Sequence, residues 1–167
     1  MQVLRHLLGV ANLGQDRLQV RWISSAEGQL FAEYVTELTE VIRALGPLER
    51  QRLRLPLAAL ERTLQTVQLR WLINMERQLT ERENVFHEKL DVKAYEAALR
   101  RTGEEEYQKA LLCEVLQGGS KTVRQMAEET GLPLYTVSLR LNDLERCGLA
   151  DVSGHEGTTF KFKLLAA

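Results

Sequence analysis

Apolar positions in the C-terminal third of the chain recur at helical spacing over two neighbouring stretches. The first stretch carries Val123, Met126 and Ala127, and the second carries Val137, Leu141 and Leu144. Gly131 supplies a tight turn between them, Pro133 fits the first position of the second helix, and Gly148 ends that helix. The pattern predicts a helix-turn-helix.

The residues around this pair of helices predict a small sheet and a supporting helix. Residues 149–152 and 159–165 read as two strands joined by the turn-forming residues 153–157, and Lys121-Thr122 adds a short strand. A helix over residues 104–116 places Tyr107, Leu111, Leu112, Val115 and Leu116 on its core face. Residues 104–167 therefore resemble a winged helix-turn-helix domain.

The N-terminal region predicts a helix, a strand and a second helix. Residues 17–23 alternate polar and apolar side chains, which is typical of a strand with one buried face. The second helix carries an apolar stripe and stops at Gly46-Pro47: Phe31, Val35, Leu38, Ile42 and Leu45. A single strand leaves its backbone edges unpaired. We therefore expect residues 1–47 to be the tail of an α/β domain, with residues 18–23 covered by the chain's own helices or by a second copy.

The middle of the chain predicts further helices. Leu57, Leu60, Leu64, Val67 and Trp71 recur at intervals of three and four, which predicts one helix over residues 57–83. Asp91 is a suitable N-cap for another helix, which Thr102-Gly103 would end. The predicted architecture is mainly α with small β elements, divided into segments 1–47, 48–103 and 104–167.

A sequence motif at the start of the second N-terminal helix resembles a known family. Trp22-Ile23-Ser24-Ser25-Ala26-Glu27-Gly28, followed by Phe31-Ala32-Glu33, is similar to the closing motif of the methyl-viologen-reducing hydrogenase delta subunit (hydrogenase iron–sulfur subunit) family. The resemblance covers about the first third of the chain. Members of that family are iron–sulfur electron carriers that link hydrogenase or formate dehydrogenase to heterodisulfide reductase-like flavoprotein subunits, so the resemblance implies a place in an electron-transfer complex.

The cysteines do not follow that family. Its cluster-binding cysteines precede the motif, whereas this chain has only Cys113 and Cys147, both outside the matching region. A [2Fe–2S] cluster usually needs four thiolates. We therefore expect no cofactor in this chain, and we expect both cysteines to be small core residues.

Composition narrows the function classes. The chain has 22 basic and 23 acidic side chains among 167 residues, so no strong overall charge favours nucleic acid or an anionic membrane. No secretory signal or membrane-length apolar run is visible, which predicts a cytoplasmic protein. No spacing suggests a catalytic nucleophile with its base, a phosphate loop or a metal cluster. We therefore expect neither catalytic nor metal-binding residues.

Two functions remain. The first is a non-catalytic interaction module of an electron-transfer complex, which would dock a protein subunit through Trp22, Ser24, Ser25, Glu27 and Phe31 and through the apolar flank of residues 57–83. For Ser24 and Glu27, helix capping by a capping box is the competing interpretation. A homodimer through these apolar faces is a further expectation.

The second function is a winged-helix transcription regulator. Its candidate DNA contacts are Tyr135, Thr136, Ser138, Arg140 and Asn142 on the second helix and Lys161 and Lys163 on the wing. Residues 104–167 carry seven basic and ten acidic side chains, whereas DNA-binding domains are usually basic. The charge balance favours the first function.

Overall fold

The computed structural model describes residues 2–47, 49 and 51–165 and shows a mainly helical chain with one small antiparallel sheet, as predicted. The elements in chain order are α1 (Gln2–Val10), a 3-10 turn (Gln15–Arg17), α2 (Gly28–Leu45), α3 (Arg54–Gln65), α4 (Val67–Asn74), α5 (Glu76–Thr80), α6 (Val92–Gln117), β1 (Lys121–Thr122), α7 (Val123–Thr130), α8 (Leu134–Arg146), β2 (Ala150–Glu156) and β3 (Thr159–Leu164).

Contacts divide the chain into two compact units, Met1–Arg54 and Leu55–Ala167. The predicted segment boundaries after residues 47 and 103 remain predictions, although the second boundary falls inside α6. The expectation that a helix ends at Thr102-Gly103 is wrong, because α6 continues through both residues to Gln117 and buries Gly103. Packing against α4, α7 and α8 compensates for the poor helix propensity of this glycine.

The predicted strand over residues 17–23 does not form. Arg17 ends the 3-10 turn, and residues 18–23 belong to no ladder within the described part of the chain. A strand is stabilised by hydrogen bonds to a neighbouring strand, and the described residues of the first unit offer none. Alternation of side chains indicates an extended segment here, but it cannot supply the partner that a sheet requires.

The single helix predicted over residues 57–83 is three shorter helices. The first break falls at Thr66, whose φ of −64° and ψ of 140° are extended, and the second falls at Met75, whose φ and ψ are −90° and 1°. The Thr66 hydroxyl donates to the Thr63 carbonyl at 2.9 Å, a local bond that competes with continuation of the helix. The periodicity of apolar positions continues across both breaks and therefore does not reveal them.

The C-terminal elements follow the prediction closely. β1, α7, α8, β2 and β3 all form, and the sheet has the antiparallel order β1-β3-β2. Gly131 ends α7 in the left-handed conformation with φ of 73°, which explains a glycine at this turn. Pro133 lies at the N-cap of α8, one position before the place in the helix that the sequence predicts for it.

One apolar core holds these elements together. α6 contributes one wall, and α7, α8 and β2 close over it, with the buried residues Leu112, Cys113, Val115, Leu116, Met126, Val137, Leu141, Leu144 and Ala150. All the apolar positions predicted to face the core from α6 and α8 are buried. The face of α8 opposite this core is consequently left to solvent.

Candidate docking surface

Helix α2 is long and amphipathic, yet none of its residues is buried. Its apolar positions recur at intervals of four and three from Phe31 to Leu45, the spacing of a helix that packs on a partner. Phe31 is 59% exposed and Val35 is 47% exposed. The sequence thus builds a core-facing stripe that the described part of the chain leaves largely uncovered.

The apolar arc of α2 is covered on one side and open on the other. At 100° per residue, the partly covered side chains of Leu30, Tyr34, Leu38 and Val41 lie together. Phe31, Val35 and Ile42 form the open side, and all three are exposed. The acidic residues Glu33, Glu37 and Glu40 lie on the opposite, polar arc.

Two arginines of the segment before α2, Arg17 and Arg21, contact this helix. The Arg17 guanidinium donates to the Leu45 carbonyl at 3.0 Å. The Arg21 guanidinium lies 4.9 Å from the centre of the Tyr34 ring and forms an ion pair with Glu37 at 3.3 Å. These contacts hold the extended segment beside the helix.

The exposed side of the segment before α2 carries two apolar side chains. Val20 is exposed, and Trp22 is 92% exposed. The expectation that residues 18–23 are covered by the chain's own helices is therefore wrong for these two side chains, because the helix contacts the Arg21 side of the segment. We call Val20, Trp22, Phe31, Val35 and Ile42 the docking surface.

The turn that joins the segment to α2 contains the three remaining candidate residues, Ser24, Ser25 and Glu27. The backbone N–H of Ser24 donates to the Glu27 carboxylate at 2.9 Å, which is one half of a capping box. The Ser24 hydroxyl accepts from the Ala26 N–H at 3.4 Å instead of completing the box, and α2 begins one residue after Glu27. Ser24 and Glu27 therefore shape the turn, and Ser25 is exposed on it.

All five residues of the sequence-based docking site are exposed, but the surface extends further than that motif. Sequence reasoning does not include Val20, Val35 and Ile42 in it. The helical spacing of Val35 and Ile42 predicts that they belong to an apolar face. Their exposure could have been inferred because the sequence predicts only one strand in the first 47 residues. One extended segment covers only part of a helix.

A second apolar surface lies on the predicted 57–83 flank. Trp71 is 56% exposed, and with Val67 and Leu72 it lines a groove of about 490 Å³ between α4 and α6. Thr102 and Glu105 line the α6 side of this groove. The flank named in the sequence-based hypothesis thus has exposed apolar side chains.

The candidate DNA-reading helix is α8, and its central basic residue is engaged inside the protein. The Arg140 guanidinium donates to Asp143 at 2.7 Å, to Gln108 at 3.1 Å and to Glu105 at 3.5 Å. Its side chain is only 13% exposed. Arg140 ties α8 to α6, so base contacts would require it to leave three partners.

The other candidate DNA contacts differ in exposure. Tyr135, Ser138 and Asn142 are exposed on α8, Thr136 is half-buried, and the exposed apolar side chains Leu134 and Leu139 lie among them. The outer face of α8 therefore mixes polar and apolar groups.

On the β2–β3 hairpin, which is the wing of the predicted domain, the Lys161 ammonium pairs with Glu156 at 2.9 Å, while Lys163 is exposed. The hydrogen bond and charge of Lys161 hold the pKa of Glu156 below its usual value. One wing lysine is thus neutralised by the wing itself.

The two cysteines lie in different surroundings. Cys113 is buried in the core of the second unit, and burial raises the pKa of its thiol. Cys147 is exposed, so the expectation of a second core cysteine is wrong; it is the C-cap of α8, whose neighbouring residues 145–149 are all exposed. The described residues contain no group of three or more His, Cys, Asp or Glu side chains that could hold a metal ion.

Among the described residues, no helix combines the length and apolar character that crossing a membrane requires. The longest helix, α6, carries charged side chains along its length.

Comparisons with known proteins concern the unit that carries the docking surface. No solved structure matches the chain. Among curated proteins, the chain is similar to the iron-sulfur subunit of the F420-non-reducing hydrogenase of Archaeoglobus profundus, with 39% identity over 51 residues. Those residues are 30% of this chain and 37% of that relative, so the chain spans little more than a third of its length. Residues 1–46, from α1 to the end of α2, match the family of the methyl-viologen-reducing hydrogenase, delta subunit.

Proposed function

We propose that this chain is a non-catalytic interaction module of a hydrogenase-type electron-transfer complex. One observation carries the proposal: the residues that match the delta-subunit family contain the docking surface, where Trp22 is 92% exposed and Phe31 is 59% exposed. Exposed aromatic side chains are enriched among the residues that contribute most to protein interfaces. The proposed partner is a protein subunit of that complex.

The electron-carrying role belongs to the partner in this proposal. Cys113 is buried and has a raised thiol pKa, while Cys147 stands alone on the surface, so neither residue suits a cluster ligand set. The chain would contribute binding and positioning, in the cytoplasm, without a cofactor of its own.

For the second unit, we propose that residues 104–167 form a winged helix-turn-helix that contacts protein. Support comes from the order of elements, with α7 and α8 followed by the β2–β3 hairpin. Four of the seven basic side chains in this segment are held in internal ion pairs: Lys109 with Glu106, Lys121 with Glu129, Arg140 with Glu105 and Asp143, and Lys161 with Glu156. Few cations are left for phosphate contacts.

The test uses the F420-non-reducing hydrogenase of Archaeoglobus profundus from which the matching iron-sulfur subunit has been removed. We expect the purified chain to bind this depleted hydrogenase, and we expect the full-length iron-sulfur subunit to compete for the same site. Trp22→Ala should weaken binding by about tenfold or more, because a tryptophan that becomes buried on binding contributes strongly to affinity.

The matched control is Phe86→Ala, which removes an exposed aromatic side chain from outside the docking surface and outside the flank of residues 57–83. It should change this affinity little. Failure of the chain to bind, or binding that the full-length iron-sulfur subunit fails to displace, would overturn the proposed function.

A further inference from the structure

We propose that the partner subunit offers the open edge of a β-sheet and that residues 18–23 join this edge as an additional strand, with α2 covering the sheet beside it. This inference rests on the proposed function and names the kind of surface that the docking surface recognises. It is carried by the backbone of residues 18–23, the half-covered arc of α2 and the alternation of side chains between them.

As far as the structure describes the chain, residues 18–23 form an unpaired segment whose first residue is extended. Leu18 has extended φ and ψ of −116° and 112°, and residues 18–23 enter no helix or ladder in the described part of the chain. Their N–H and C=O groups are strong hydrogen-bonding groups, and an unpaired strand edge is a template for pairing with another chain. Strand addition is the recognition mode that uses such groups.

The width of α2 leaves room for a second strand beside residues 18–23. A helix with its side chains is about 10 Å wide, whereas neighbouring strands are about 4.8 Å apart, so one extended segment covers about half of a helix face. The structure shows this half coverage, because Tyr34 lies against Arg21 while Phe31, Val35 and Ile42 are exposed. A strand paired with residues 18–23 would lie under the open half.

In residues 19–22, two polar side chains of a hydrogen-bonded network that reaches α2 alternate with two exposed apolar side chains. Gln19 and Arg21 share a hydrogen bond at 3.3 Å, and Arg21 reaches Glu37 on α2. Val20 and Trp22 are exposed instead. The strand therefore has one face toward α2 and one apolar face free, and we expect the partner to cover Trp22 with apolar side chains.

Charge and strand number favour a partner subunit over a second copy. The acidic residues of α2 lie away from the open half, so an apolar sheet face meets no buried carboxylate there. Two copies of residues 18–23 would form only a two-stranded ribbon, which is marginally stable in water. Pairing centred on Arg21 would also bring two guanidinium groups opposite each other.

The experiment measures amide hydrogen exchange of the full chain alone and bound to the same depleted hydrogenase of Archaeoglobus profundus. We expect amides in residues 18–23 to be protected on binding. Successive residues of a strand direct their N–H groups to opposite edges. Proline removes the backbone N–H, and only one of the N–H groups of Gln19 and Val20 would face the partner strand. We therefore expect one of Gln19→Pro and Val20→Pro to lose affinity by about a hundredfold and the other by less than about threefold. Each proline variant is compared with the alanine variant at the same position.

A second pair of variants tests the helix. Val35→Glu places a charge on the open half of α2 and should weaken binding by about tenfold or more, whereas Gln29→Glu on the polar arc should not. Binding without protection of residues 18–23, or equal effects of the two prolines, would overturn the strand proposal and leave the proposed function standing. Absence of any complex would overturn both the strand proposal and the proposed function. Protection of residues 18–23 that rises with the concentration of the chain alone would show that they pair with a second copy, and it would overturn the strand proposal.

Discussion

Arg140 shows how a single side chain changes the interpretation of a helix. By sequence it is a candidate base contact, but its guanidinium joins α8 to Gln108 and Glu105 of α6. We predict that Arg140→Ala lowers the free energy of unfolding by about 1–2 kcal/mol, because it removes three hydrogen bonds of a largely buried guanidinium whose acidic partners are partly exposed to solvent. Urea unfolding followed by circular dichroism measures this change.

Arg124→Ala provides the control for Arg140, because Arg124 is exposed on α7. It should change the free energy of unfolding by about 0.5 kcal/mol or less. Equal effects of the two substitutions would show that the contacts of Arg140 add nothing to stability.

The two thiols should differ sharply in reactivity. Cys113 is buried and its thiol has a raised pKa because of desolvation, whereas Cys147 is exposed. The thiolate is the reactive form. We predict that Ellman's reagent modifies one thiol per native chain rapidly and the second only after denaturation. Cys147→Ser should abolish the rapid phase and Cys113→Ser should retain it; two rapid thiols in the native wild type would contradict this expectation.

Tyr107 makes stability depend on pH in the alkaline range. Burial raises the pKa of Tyr107 from 10.0 to about 12. The unfolded chain therefore loses this proton before the folded chain does, so stability present below pH 10 is lost as the pH rises toward 12. We predict a loss of about 2–3 kcal/mol across this interval for the wild type relative to Tyr107→Phe. Urea unfolding at several pH values measures the difference, and parallel curves for the two proteins would exclude the effect.

At the scale of elements, the start of α7 depends on a complete capping box. The Thr122 hydroxyl accepts from the Gln125 N–H at 3.3 Å, and the Gln125 side chain accepts from the Thr122 N–H at 2.9 Å. We predict that Thr122→Ala costs about 1 kcal/mol of stability, measured by thermal unfolding. Thr122→Ser keeps the hydroxyl and should retain most of the stability. A loss as large with serine as with alanine would assign the effect to the buried methyl group instead.

The elements that could be predicted are those whose signals are local. Gly131 and Gly148 both have positive φ at helix ends, and the apolar residues of α8 face a core that the same segment builds. The breaks in the 57–83 region could not be predicted in this way. Thr66 and Met75 interrupt a continuous apolar pattern through local backbone conformation, which spacing alone does not encode.

The docking surface could be predicted only in part, for a related reason. The motif from Trp22 to Phe31 indicates the right region, but the exposure of Val35 and Ile42 depends on which strands lie beside α2. A strand partner is a property of distant residues or of another chain, so the sequence of one helix cannot reveal it. The engagement of Arg140 by α6 escapes sequence reasoning because Gln108 and Glu105 are more than thirty residues away.

At the scale of the whole molecule, the charge balance favours the interaction module over DNA binding. The chain carries 22 basic and 23 acidic side chains, and residues 104–167 place four of their seven basic groups in internal ion pairs. Non-specific DNA affinity comes from neutralised phosphates, and each missing cation removes one such contact. We predict no electrophoretic shift of a random duplex at low salt with about 10 µM protein, a range in which non-specific binders are bound.

Leu134→Lys with Leu139→Lys, which adds two cations to the outer face of α8, provides the positive comparison and should begin to shift the duplex. A shift by the wild type that weakens steeply with added salt would restore gene regulation as the function of this chain, and loss of that shift in Lys163→Ala would locate the contact on the wing.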